Sequence, residues 1–227
     1  MSRKVFAEFL GSLLLAALVI GSGIAAQRLS DDVGLRLLEN AAATAAGLYV
    51  LVLVFGPVSG AHFNPVVSVV AAAFGGLTWR EVAAYVPAQV AGCVSGAVLA
   101  NVMFDLAPVS ISTTHRATVA HGLSEVVATL GLVLVIFALV RTGRAVLAPA
   151  AVGAYIGAAY WFTSSTSFAN PAITIGRVFS DTFAGIAPAS VLPFVLAQLA
   201  GAALAVVLLR ILYPAPAHAD EAVVPSR

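Results

Sequence analysis

Two asparagine-proline pairs, Asn64-Pro65 and Asn170-Pro171, stand inside apolar sequence, and two glutamates, Glu8 and Glu125, interrupt apolar runs of their own. Asn-Pro ordinarily marks a turn in water, and helix interiors avoid proline. Asparagine is also a favoured N-cap and proline a favoured first helical residue, so each pair is suited to begin a helix. Such a start presents unpaired backbone N–H groups and about half a positive charge. Chemistry of that kind binds and orients a molecule without making or breaking its bonds. No phosphate-cradling glycine loop, nucleophile motif or metal-ligand spacing accompanies it, so the reading is a non-enzyme with no cofactor and no metal site. Cys93 is the single cysteine, which excludes a disulfide within the chain and reads as a buried small apolar residue. His62 reads as structural, and His115, His121 and His218 have no metal spacing.

The elements that must position these residues follow from composition. Of 227 residues, 61% are hydrophobic and only 9% are charged, so the solvent is a lipid bilayer. A net charge of +1 argues against a nucleic-acid partner. About 20 apolar residues cross the hydrocarbon core. Six segments meet that length, at 5–27, 39–57, 82–104, 118–140, 146–164 and 188–212. The first, with Glu8 inside it, is expected to be a span and not a cleaved leader. Two shorter stretches, 64–75 and 170–179, each open with Asn-Pro and would reach only about 15–18 Å as helix, half a bilayer. Arg3, Lys4, Arg80, Arg141, Arg144, Arg210 and Arg227 fall on one side of this six-span arrangement. Arg28, Arg36, Arg116 and Arg177 fall on the other. The positive-inside rule therefore predicts cytoplasmic termini, in a plasma or inner cell membrane.

The chain repeats itself. AEFLG around Glu8, HFNPVVS and AQVAG recur in the same order as SEVVA around Glu125, FANPAIT and AQLAG, at offsets of 117, 106 and 109. Each half holds three spans, so the second half must be inverted relative to the first. The prediction is one channel domain over 1–212, with repeats at about 4–104 and 118–212 and a short tail at 213–227. Broken short helices at matched places in inverted halves point to a site at the bilayer midplane. There the two helix N-termini would face each other, repelling cations while the asparagine amides offer donors to a neutral solute. A re-entrant loop also has backbone N–H groups that helix bonding leaves unsatisfied, and Glu8 and Glu125 are read as the acceptors that hold the loops. The alternative role for these acids is proton coupling in a secondary transporter. Gly92, Gly96 and Gly201 read as close-packing positions.

SGAHFNPVV and FANPA, with AEFLG and SEVVA upstream, closely resemble the major intrinsic proteins, the aquaporins and aquaglyceroporins. The resemblance covers about 4–212. It implies an all-α membrane fold, a right-handed bundle of six transmembrane helices with two re-entrant half-helices, one pore per chain and a homotetramer. The pore-lining motifs become Asn64, Pro65 and Val66 with Asn170, Pro171 and Ala172; the family usually has alanine where Val66 stands.

In water-selective relatives, two aromatic or histidine side chains and an arginine form a second constriction outside the asparagines. By spacing from the two motifs, the resemblance carries its four positions to Thr44, Ala158, Ser167 and Ile173. The arginine slot is Ile173, the histidine slot Ala158 and the aromatic slot Thr44. Small side chains there imply a wide filter that passes water and uncharged solutes larger than water. Glycerol-like polyols, urea and neutral metalloid hydroxides such as arsenous acid fit that description. The stretches NPAITIGR and SDTFAGIAP also resemble a bacterial subgroup associated with arsenic resistance. A water-selective channel and a non-conducting structural tetramer remain as alternatives. Arg177 lies about 20° from Asn170 around the half-helix and about 10 Å further along. It is expected either to overhang the outer vestibule or to pair with Asp181 at i+4.

Overall fold

The computed structural model describes residues 1–214; of the expected tail, 215–227 lie outside the described residues. Among the described residues, six helices are long and apolar enough to cross a membrane. They are α1 (Ser2–Leu29), α2 (Val33–Ser59), α4 (Trp79–Met103), α5 (Val119–Arg141), α6 (Ala148–Phe162, after a 3-10 turn at Ala145–Leu147) and α8 (Pro188–Leu212). Two short helices complete the set, α3 (Pro65–Ala73) and α7 (Pro171–Gly176), the latter continued by a 3-10 turn over Arg177–Phe179.

Helices α2 and α4 begin earlier than their apolar runs because polar caps lengthen them. The Asp32 carboxylate accepts from Leu35 N at 2.7 Å and starts α2 well ahead of position 39. Thr78 and Glu81 form a reciprocal capping box at the head of α4, and the Thr118 hydroxyl caps α5. Such caps are worth about 1 kcal/mol each.

Contacts between helix ends define two faces of the bundle. On the face that carries the N-terminus, Lys4 pairs with Glu81 at 3.0 Å and Arg141 donates to the Tyr213 carbonyl. On the opposite face, Arg28 donates to the Phe104 carbonyl. There an arm from 104 to 118 lies over the loop after α7. Ser112 N donates to Val178 O at 2.8 Å, Ala187 N to Thr114 O at 2.8 Å, and Thr113 N to the Asp181 carboxylate at 2.9 Å.

Helix α1 packs along α4, and α5 packs along α8 as its counterpart in the second repeat. Glycines let the backbones meet. A Cβ on Gly92 would collide with the Phe9 carbonyl, one on Gly96 would sit 2.8 Å from the Ala16 Cβ, and one on Gly201 would collide with the Val126 carbonyl. Close backbone approach of this kind is how helices associate where lipid offers no hydrophobic drive. Gly92→Leu and Gly96→Leu should each lower the thermal midpoint of the detergent-solubilised protein by about 5 °C or more. Gly122→Ala, at a position with nothing within 4 Å, should leave it unchanged or raise it slightly. A calorimetric or fluorescence melt of the three variants distinguishes close packing from a general intolerance of larger residues.

Candidate functional site

The two loops that enter the bundle, 59–64 and 165–170, repeat one another residue by residue. Gly60, Ala61 and Phe63 have φ of 89°, 50° and 50°; Thr166, Ser167 and Ala169, each 106 positions later, have 61°, 51° and 47°. A non-glycine residue in the left-handed region costs roughly 1–2 kcal/mol. These turns persist because a buried carboxylate gathers the N–H groups they expose. The Glu8 carboxylate accepts from Ser59 Oγ at 2.6 Å, His62 N at 3.0 Å, Phe63 N at 2.7 Å and Gln89 Nε2 at 2.7 Å. The Glu125 carboxylate accepts from Ser165 Oγ at 2.6 Å, Phe168 N at 2.9 Å, Ala169 N at 2.8 Å and Gln198 Nε2 at 2.6 Å. Both acids are fully buried and each serves its own half.

The loops deliver the asparagines to one another. Asn64 caps α3 through Val66 N at 3.0 Å, and Asn170 caps α7 through Ala172 N at 2.9 Å and Ile173 N at 3.2 Å. Asn64 Nδ2 then donates to Ala169 O, and Asn170 Nδ2 to Phe63 O, both at 2.8 Å. Each amide carries two N–H groups. One bridges to the facing loop, and the other is left for a molecule beside it. Pro65, Val66, Pro171 and Ala172 are buried behind the tips.

A cavity of about 790 Å³ runs past both asparagines. Phe74 and Arg141 line it toward the N-terminal face, with the guanidinium 4.4 Å from the ring centroid. Toward the opposite face its wall includes Thr44, Tyr160, Ser167, Ile173 and Arg177. Cys93 is off that wall; its Sγ points to the Ser12 carbonyl at 3.7 Å, and its backbone presses on Gly176.

Two expectations from the sequence need correction. Ala158 is exposed on the outside of α6 and does not touch the cavity. Tyr160 lines it instead, buried, with its hydroxyl 3.3 Å from Thr44 Oγ1. Two residues along a helix are about 200° apart, so a count that slips by two selects the opposite face. Val152, Ile156 and Tyr160, spaced by four, share the cavity side. With a tyrosine there, the wall is not small at all four positions.

Arg177 is neither a surface residue nor a partner of Asp181, which is occupied by Thr113. It is 2% exposed, its Nε donates to the Ala184 carbonyl, and its guanidinium carbon lies 3.4 Å from the centroid of the Phe168 ring. Arg116, from the covering arm, stands 5.4 Å from the same centroid and donates to the Gly185 and Phe183 carbonyls. Burial pushes the Arg116 guanidinium below its ordinary value, opposed by Tyr160 and Glu125.

A family model described as major intrinsic protein matches residues 1–168. Aquaglyceroporin AqpS of Rhizobium meliloti is 52% identical over 216 residues, covering 95% of this chain and 92% of that protein. A glycerol uptake facilitator protein of Streptococcus pneumoniae is 34% identical over 156 residues, 61% of this chain and 65% of its own length. Among solved structures, the aquaglyceroporin from Plasmodium falciparum has the same fold, with a TM-score of 0.72 at 20% identity over 92% of this chain and 95% of that one.

The paired carboxylates make a prediction. Hydrogen bonds to a charged acceptor are worth about 1.5–3 kcal/mol each, and a buried donor left without one costs as much. Glu8→Gln and Glu125→Gln turn an NH₂ group toward backbone donors, so each should lose at least about 3 kcal/mol of stability. Thermal unfolding and flux per folded molecule check this. Wild-type values in both variants would mean the loops are held by something else.

Proposed function

We propose, from the premise that this chain belongs to the major intrinsic protein family, that it is a passive transmembrane channel for small neutral solutes of glycerol size, together with water. The observation that carries the reading is the meeting of two asparagine-capped half-helices on one continuous cavity. The helix ends there are positive, and the free amide N–H groups offer hydrogen bonds to an uncharged oxygen. Both acids are engaged in holding loops, which leaves neither on the cavity wall for proton coupling. The protein is a multi-pass membrane protein. Cytoplasmic termini and a plasma or inner membrane fit the placement of arginine and lysine. Family membership supports a homotetramer, in which neighbouring copies and lipid share the exposed apolar faces. Neutral metalloid hydroxides such as arsenous acid belong to the same substrate class by size and lack of charge. Tyr160 favours a second reading, a narrower pore that passes chiefly water.

Stopped-flow light scattering of proteoliposomes with water, glycerol and arsenous acid separates these readings. Glycerol flux should be downhill and indifferent to a proton gradient; uphill accumulation driven by pH would overturn the channel. Water flux alone would favour the narrow pore. The constriction itself has a matched pair of variants. Thr44→Phe with Ile173→Arg should cut glycerol flux about tenfold relative to water, because one decade corresponds to only about 1.4 kcal/mol. Ala158→His, on the exposed face of α6, should leave that ratio alone.

A further inference from the structure

Ile173 occupies the position from which an arginine would face the constriction, yet the wall at that level is not without charge. Arg177 lies four residues later, one helical turn along the same side. Side chains on a helix lean toward its N-terminus, so a long side chain at that position drops back over the preceding turn. The geometry follows this rule. The guanidinium returns to Phe168, which precedes Asn170 in the chain, with its carbon 3.4 Å from the ring centroid. Two contacts fix it there, the Phe168 face and the Ala184 carbonyl that accepts from Nε, while Arg116 from the covering arm stands over the same ring. The loop that carries Arg177 is itself pinned, with Asn101 Nδ2 donating to Phe179 O at 2.9 Å and Ser180 Oγ donating to Asn101 Oδ1 at 2.7 Å.

What is left unpaired matters most. Among the described residues, the two terminal nitrogens of Arg177 have no protein acceptor, although the side chain is buried and lines the cavity. On the same wall the Thr44 to Tyr160 contact at 3.3 Å is long. Unsatisfied groups of this kind, facing a shared space, define what completes them. Ile156 and Ile173 supply an apolar side to that space.

We propose that Arg177 is the specificity-determining cation of this channel, supplying from one turn further along the fixed charge and donors that Ile173 does not. It selects small hydroxylated neutral solutes, whose oxygens accept from the guanidinium and whose hydroxyls donate to Tyr160, and it turns away organic cations of similar size. The proposal rests on the channel reading above.

The test compares glycerol with methylammonium in proteoliposomes of the full chain. Arg177→Met keeps the stem on Phe168 and removes the charge; Arg177→Ala removes both; Arg177→Lys keeps a charge without the planar stack. Methylammonium permeation relative to glycerol should rise about tenfold in the Met and Ala variants, one decade being about 1.4 kcal/mol. It should stay near wild type in the Lys variant, and adding Ile173→Arg to Arg177→Met should restore exclusion. A folded Arg177→Met protein with an unchanged ratio overturns the proposal. If neither the Met nor the Ala variant folds, Arg177 is a prop for the 177–187 loop, and the proposal is equally overturned. Absence of glycerol flux in the wild type would instead overturn the reading as a channel for glycerol-sized solutes, so the two failures are distinct.

Discussion

A backbone that enters a bilayer and turns back halfway exposes N–H groups that neither a helix nor water can satisfy. Everything at the centre of this molecule depends on how that deficit is met. A buried carboxylate in each half takes two backbone donors of its loop, a serine hydroxyl and a glutamine amide from a packed helix. Four bonds to one charged group can outweigh several left-handed residues, each costing about 1–2 kcal/mol. The strained turns in return set the direction in which the asparagines and the half-helix ends point.

The wall of the cavity inherits its character from the same device. One carbonyl of each loop accepts from the facing asparagine, and the half-helix ends stay close together with their donors available. Selectivity is then decided by side chains hung on that frame. Tyr160 arrives from α6 and Arg177 from the turn after α7, so two neighbouring wall residues come from separate elements. Their spacing depends on how the covering arm and the 177–187 loop are tied down, through Asn101, Ser112 and Thr113.

What could be read from sequence was chemically conspicuous. An acid in an apolar run, an Asn-Pro pair before a half-length helix and a repeated order of motifs each have few physical explanations, and the six-helix architecture followed from them. The left-handed turns were not legible, because Ala61, Phe63, Thr166 and Ala169 are residue types that carry no signal for positive φ. The assignment of Ala158 failed since counting backward from Asn170 assumes a loop length that sequence does not display. A slip of two residues on a helix exchanges inside for outside. The depth of Arg177 was not legible. Position fixes a Cα, whereas the guanidinium of a long side chain ends a full turn away, and its platform, Phe168, lies on the far side of the motif. Asp181 was an apparent partner only because the covering arm that engages it could not be placed.

The carboxylate cages differ from the asparagine bridges in one respect that bears on biosynthesis. All the groups bound to Glu8 lie between residues 8 and 89, and all those bound to Glu125 lie between 125 and 198. The bridges instead join positions 105 and 107 residues apart, across the two halves. A ribosome that has delivered the first three spans has therefore delivered everything the first loop requires, before any part of the second exists. Each half can be inserted with the donors around its own carboxylate already satisfied. The junction between them closes last, as a docking of two finished pieces, and the passage through the molecule comes into being only at that final contact.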